Sequence, residues 1–140
     1  MILSRHCLKT EVISIQTHAR EELLDITSAI QSVLERCSFK DGIVVISAPH
    51  TTAAVTINEK ADPDVRRDII QKLSSEFPQQ DNYRHSEGNS DAHIKSSLVG
   101  ASLSLIVENG QLMLGTWQAI FFCEFDGPRR RQLYIKPIPS

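Results

Sequence analysis

Neither sign of charge prevails in this sequence: 15 basic residues against 17 acidic ones leave a formal net charge of −2. That balance offers no electrostatic footprint for nucleic acid. Long hydrophobic runs are missing as well. No window approaches the ~18 apolar residues of a membrane span, and Met1-Ile2-Leu3-Ser4-Arg5-His6 holds no apolar signal core, so no membrane partner and a cytoplasmic location are expected. Cysteine is scarce. Cys7, Cys37 and Cys123 are odd in number, form no C-x-x-C pair and lie in apolar contexts, which predicts reduced core thiols rather than a disulfide framework. Internal repeats and low-complexity segments are absent.

What remains is ordinary globular material, 41% hydrophobic and 23% charged over 140 residues. A chain of this length forms one domain, 1–140, and buries about two-thirds of its unfolded surface without needing staples. From His6 to Thr17, polar and apolar residues alternate as in a strand or hairpin. Leu23, Ile26, Ile30, Val33, Leu34 and Cys37 then recur near the helical period, predicting an amphipathic helix that ends before Asp41-Gly42. Ile43 to Ile46 and Ala53 to Ile57 are core strands by their β-branched content, joined at Pro49-His50-Thr51-Thr52. Asp62-Pro63 supplies an N-cap and a first-turn proline for a second helix over Val65, Ile69, Ile70, Leu73 and Phe77, stopped by Pro78.

Residues 78–90 make a polar loop, and a short helix is expected at Asp91 to Val99. Alternation resumes at Leu103, Leu105 and Val107, and Asn109-Gly110 before Leu112 is a strong hairpin signal. Strands follow at Ile120 to Phe125 and Gln132 to Ile138, separated by the turn residues Asp126-Gly127-Pro128. About seven or eight short strands with two or three helices define an α+β class, a compact two-layer β-sandwich-like fold with mostly antiparallel sheets.

Between His85 and Arg131, polar and ionisable residues repeatedly interrupt sequence that otherwise has the pattern of buried core. A buried polar group without a partner costs about 1–3 kcal/mol, so packing alone would not select them. His50, His85 and His93 lie at strand ends or loops, and three imidazoles could place a divalent metal with an open position. Their spacing is not diagnostic, and a lone histidine is more often surface or partly buried. Asp91, Glu59, Glu124 and Asp126 are candidate acids, bases or magnesium ligands, although Asp91 is equally explained as a helix cap and Glu59 as a solvated strand end. Alternation would set Arg129 and Arg131 on one face as a phosphate fork, with Arg130 on the other. A charged edge that discourages aggregation is the bland alternative. Lys95, Ser96, Ser97, Thr51 and Thr52 would complement an anion site. Trp117 favours a core role over a substrate platform; with Gln118 it is carried as a substrate-contact candidate.

These segments resemble the YjbQ-like family, also called secondary thiamine-phosphate synthases. The resemblance rests on Ser47-Ala48-Pro49-His50-Thr51-Thr52-Ala53, Ile57-Asn58-Glu59, His85, the run Asp91 to Gly100, Leu114-Gly115-Thr116-Trp117-Gln118, and Glu124 to Arg131. It covers essentially the whole chain in order. It implies two packed sheets, a homotrimer with clefts near subunit boundaries, and a weak synthase activity that joins hydroxymethylpyrimidine diphosphate to thiazole phosphate. It further implies a divalent metal ion, zinc or magnesium, on His50, His85 and His93. On that reading Arg129, Arg131 and Lys95 hold phosphate while Glu59 or Asp91 orients substrate or water, because leaving diphosphate develops negative charge that cations stabilise. Metal-dependent phosphoester hydrolysis and a noncatalytic trimeric ligand-binding protein are the competing expectations.

Overall fold

A computed structural model describes residues 9–140. Its elements run β1 (Glu11–Gln16), β2 (Glu22–Asp25), α1 (Thr27–Arg36), β3 (Gly42–Ser47), β4 (Ala53–Glu59), α2 (Pro63–Glu76), α3 (Ser90–Val99), β5 (Ser102–Glu108), β6 (Gln111–Leu112), β7 (Gln118–Glu124) and β8 (Arg130–Pro139). The strands form a five-stranded sheet in the order β1-β8-β3-β5-β6 and a three-stranded sheet in the order β2-β7-β4. Every strand pairing is antiparallel. The α+β sandwich with mostly antiparallel sheets is therefore the architecture. No helix among the described residues is long and apolar enough to cross a membrane.

The two sheets enclose the main core. Val44 and Ile46 of β3, Leu133 and Ile135 of β8, Ala53 and Val55 of β4, and Ile120 and Phe122 of β7 point into it, joined by Ile30, Val33 and Leu34 of α1. β7 has a second inward face as well. Its alternate residues Ala119, Phe121 and Cys123 turn the other way, into a smaller core shared with Ala92 of α3 and Ile69, Ile70 and Leu73 of α2. A strand covered on both faces is apolar at every position rather than every other one, which explains the run Ala-Ile-Phe-Phe-Cys.

One expectation changes and two gain detail. The amphipathic stretch beginning at Leu23 divides, because Leu23 pairs with Cys123 and Leu24 with Phe122 as a strand, and helix starts only at Thr27. Asp25 makes the break by accepting the Thr27 N–H at 3.0 Å. The stretches around Ile43 and Ala53 are both strands, yet they lie in different sheets, so residues 48–52 cross from one layer to the other. The N-terminal strand spans Glu11–Gln16; its expected beginning at His6, and Cys7 with it, lie outside the described residues. The remaining punctuation holds: Asp62 caps α2 by accepting from the Asp64 N–H at 2.9 Å. The β5–β6 hairpin turns on Asn109 and Gly110, with φ of 51° and 77°, the positive values that such two-residue turns require.

Candidate functional site

Where β3 and β4 exchange sheets, the crossing loop faces the β7–β8 connection and the N-terminus of α3. Together they line a polar cavity of about 660 Å³ with His50, Thr51 and Thr52 from the first, Asp126 and Arg129 from the second with Arg131 just inside β8, and His93 of α3 with Glu87 and Asn89 just before it. Two of the walls are built from segments that the sandwich cannot make regular. Residues 48–52 must cross layers, and 126–129 must join β7 in one sheet to β8 in the other.

A buried ion pair ties these walls together. Glu124, the last residue of β7, is fully buried, and Arg131, the second of β8, is 3% exposed. Arg131 Nε donates to both Glu124 oxygens, at 2.9 and 3.2 Å, and Nη2 donates to Glu124 Oε2 and to Thr52 Oγ1 at 2.9 Å. Glu124 also accepts from the Thr17 hydroxyl at 2.8 Å and the Asp126 N–H at 3.1 Å. Burial pushes the Glu124 carboxyl up, but the bonds from Arg131, Asp126 and Thr17 outweigh it and hold the group below the usual carboxylate range. Gly127 follows where no side chain fits: a Cβ there would lie 2.5 Å from the Ala19 carbonyl oxygen.

His50 can accept the Gln132 backbone N–H through Nε2 at 3.0 Å. The same Nε2 lies 3.2 Å from the Gln132 carbonyl oxygen, so a ring protonated on Nδ1 accepts from the N–H and one protonated on Nε2 donates to the carbonyl. Burial, then the charge of Arg131, lowers the pKa of His50 and favours the neutral ring in either tautomer. His93 and His85 meet edge to face with ring centroids 5.3 Å apart. His85 opens on a neighbouring, mostly apolar hollow with Tyr83 and Ile94. No three His, Cys, Asp or Glu side chains among the described residues are arranged to hold a metal ion. The structure thus brings His85 to His93 and leaves His50 engaged with β8; the three do not fit a metal triad as they stand.

Arg129 is the accessible cation of the site, its side chain 49% exposed and paired with Asp126 Oδ2 at 3.0 Å. The expected fork of Arg129 and Arg131 is uneven, because Arg131 is inward and committed to Glu124 while Arg130 alone is on the outer face. Lys95 is elsewhere. It is buried between Glu21 and Asp91, and Asp91 also receives both terminal nitrogens of Arg20, at 3.1 and 3.0 Å. Burial acts to raise the Asp91 pKa, yet Arg20 and Lys95 bring it below its ordinary value. Asp91 and Lys95 therefore pin α3 to the β1–β2 connection rather than face the cavity. Ser96 donates to the Ala53 carbonyl at 2.6 Å and Ser97 to the His93 carbonyl at 2.9 Å, so both hydroxyls serve the backbone.

Glu59, Trp117 and Gln118 lie at the far end of the small sheet. Glu59 pairs with Gln118 whereas Ala53 pairs with Glu124, and six residues of strand span roughly 20 Å. Trp117 is 62% exposed, contrary to the core role its size favours, and Gln118 closes a turn by accepting the Gly115 N–H at 2.8 Å. Sequence reasoning missed Thr17, Arg20, Glu21 and Asn89. The polar cluster Thr17-His18-Ala19-Arg20-Glu21-Glu22 was the available signal, since it separates two apolar segments and holds both charge signs.

Residues 11–140 match the family described as UPF0047 protein YjbQ-like. A UPF0047 protein of Methanocaldococcus jannaschii is 60% identical over 89% of this chain and 90% of its own length. The UPF0047 protein YugU of Bacillus subtilis is 52% identical over 92% of this chain and 97% of its own. A crystal structure of an uncharacterised conserved YjbQ/UPF0047 protein from Clostridium acetobutylicum superposes with a TM-score of 0.90 at 49% identity, covering 91% of this chain and 99% of that one.

Proposed function

The chain belongs to the YjbQ-like UPF0047 family, and from that premise we propose that its polar cavity handles phosphorylated small molecules in group transfer. The leading candidate is the thiamine-phosphate synthase reaction, joining hydroxymethylpyrimidine diphosphate to thiazole phosphate with release of diphosphate. The observation that carries this reading is Arg129, an accessible guanidinium on the cavity wall shared with the His50 ring and the hydroxyls of Thr51 and Thr52. A guanidinium offers paired donors that match phosphate oxygens and keeps its charge at any working pH. In this chemistry Arg129 would grip the departing diphosphate, His50 would donate a hydrogen bond, and Glu124 with Arg131 would hold both loops in place.

No step is assigned to a metal ion. A zinc or magnesium ion would rest on His85 and His93, with His50 Nε2 engaged by the Gln132 backbone; metal content of the purified protein tests that part. A homotrimer in the cytoplasm completes the proposal. An apolar row on the outer face of the large sheet supports self-association: Ile138 pairs with Ile43 and Ile43 with Ile106, and the three are 40, 39 and 57% exposed.

Incubation with both substrates should give thiamine phosphate and diphosphate in equal amounts, with turnover falling at least about tenfold in Arg129→Ala, the effect of losing a charge-assisted hydrogen bond. Orthophosphate released without any dependence on the thiazole would instead identify a hydrolase.

A further inference from the structure

The charges on the cavity wall do not make a simple anion trap. Two guanidiniums, Arg129 and Arg131, stand against three carboxylates, Glu87, Asp126 and, behind Arg131, Glu124. Arg131 is neutralised within the fold, so Arg129 is the cation left for a ligand, and Asp126 occupies it twice. Arg129 Nη2 donates to Asp126 Oδ2 at 3.0 Å and Nε donates to the Asp126 carbonyl at 2.9 Å.

Of these two partners Asp126 is the fixed one. Its N–H is bound by Glu124 at 3.1 Å, its Oδ2 accepts from Asn89 Nδ2 at 2.8 Å, and the Gly127 N–H that follows is held by the Arg20 carbonyl at 3.0 Å. The side chain of Asp126 is 18% exposed and that of Arg129 is 49% exposed. A phosphate that takes these donors of Arg129 for itself would leave behind a mostly buried carboxylate with one donor fewer. Such a loss is unfavourable unless the ligand replaces the donor, because water reaches only a small part of the group.

We propose that Asp126 is the specificity-determining residue of the cavity, and that it biases binding toward phosphorylated molecules that also carry a positively charged or N–H-donating group within reach of its carboxylate, plain phosphates binding more weakly. This deepens the phosphate-handling reading above and rests on it. Asp126 acts by negative selection: a plain phosphate ester must compete with the carboxylate for Arg129 and returns nothing to it, whereas an amino-phosphate satisfies both members of the pair.

The test compares O-phosphoethanolamine with ethyl phosphate, which lacks the amine, by ligand-observed NMR titration of wild type and Asp126→Asn. Wild type should prefer the amino-phosphate by about tenfold or more. In Asp126→Asn the preference should collapse, chiefly because ethyl phosphate binds more tightly. Asp126→Ser serves as the second variant should the amide perturb folding, and the wild-type comparison stands without either. Equal binding of the two esters to wild type, or a preference that survives in a folded Asp126 variant, overturns the assignment while leaving a phosphate site intact. Failure of both esters to bind wild type overturns the phosphate reading and this one together.

Discussion

Replacing Glu124 by glutamine keeps the shape of the side chain and deletes its charge. The partner guanidinium of Arg131, 3% exposed, would then be buried against a neutral amide while its contact with Thr52 remained. Breaking one half of a buried pair costs about 3–5 kcal/mol, since the charge left behind has lost its compensation. For a chain of this size, that corresponds to a fall of roughly 10–15 °C in Tm. Urea and thermal unfolding followed by circular dichroism measure it directly. The double variant Glu124→Leu/Arg131→Met removes both charges and should recover much of the loss, because an apolar replacement of a whole pair is often neutral. The pH dependence gives an independent reading. The folded carboxyl is held below its ordinary range, so its contribution is present at neutral pH and disappears as pH falls through the depressed folded value. Glu124→Gln should therefore flatten the acid limb of the stability curve. A loss under about 1 kcal/mol, or a double variant as unstable as the sum of its parts, would refute the pair as the frame of the site.

Lys95→Met should destabilise the fold by about 3 kcal/mol, by leaving Glu21 and Asp91 short of a buried cation, yet leave phosphate affinity unchanged; urea unfolding beside a diphosphate titration separates the two effects. His50 should weaken the protein in mild acid. Its folded pKa is lowered, so its contribution is present above the unfolded histidine value of about 6.5 and is lost as pH falls from there through the lower folded value. Between pH 7.5 and 5.5 wild type should lose more stability than His50→Gln; equal losses would show that the ring is not held neutral.

The hairpin at Asn109-Gly110, the cap at Asp62 and the β-branched strands were legible because each signal is local. Leu23 was not, since its helical spacing to Ile26 and Ile30 coincides with strand pairing to Cys123, a partner one hundred residues away. The site shows the same division. His50, Thr51, Thr52, His93, Arg129 and Arg131 were picked out by their polarity within apolar surroundings, and all line one cavity. Lys95 and Asp91 gave the same signal for a different reason. Four residues apart on α3, they satisfy each other at 2.9 Å, and a buried ion network breaks an apolar pattern just as a ligand site does. Glu59 shares a sheet with the site but lies, with Trp117 in the turn beside it, at the other end, and distance along a strand becomes visible only once register is known.

Calorimetric titration of inorganic diphosphate into wild type and Arg129→Ala tests the central claim most directly. The account expects saturable binding to wild type and at least about a tenfold loss in the variant, with both proteins folded at the titration temperature. Binding of equal strength in the two proteins, or none to wild type, would contradict it.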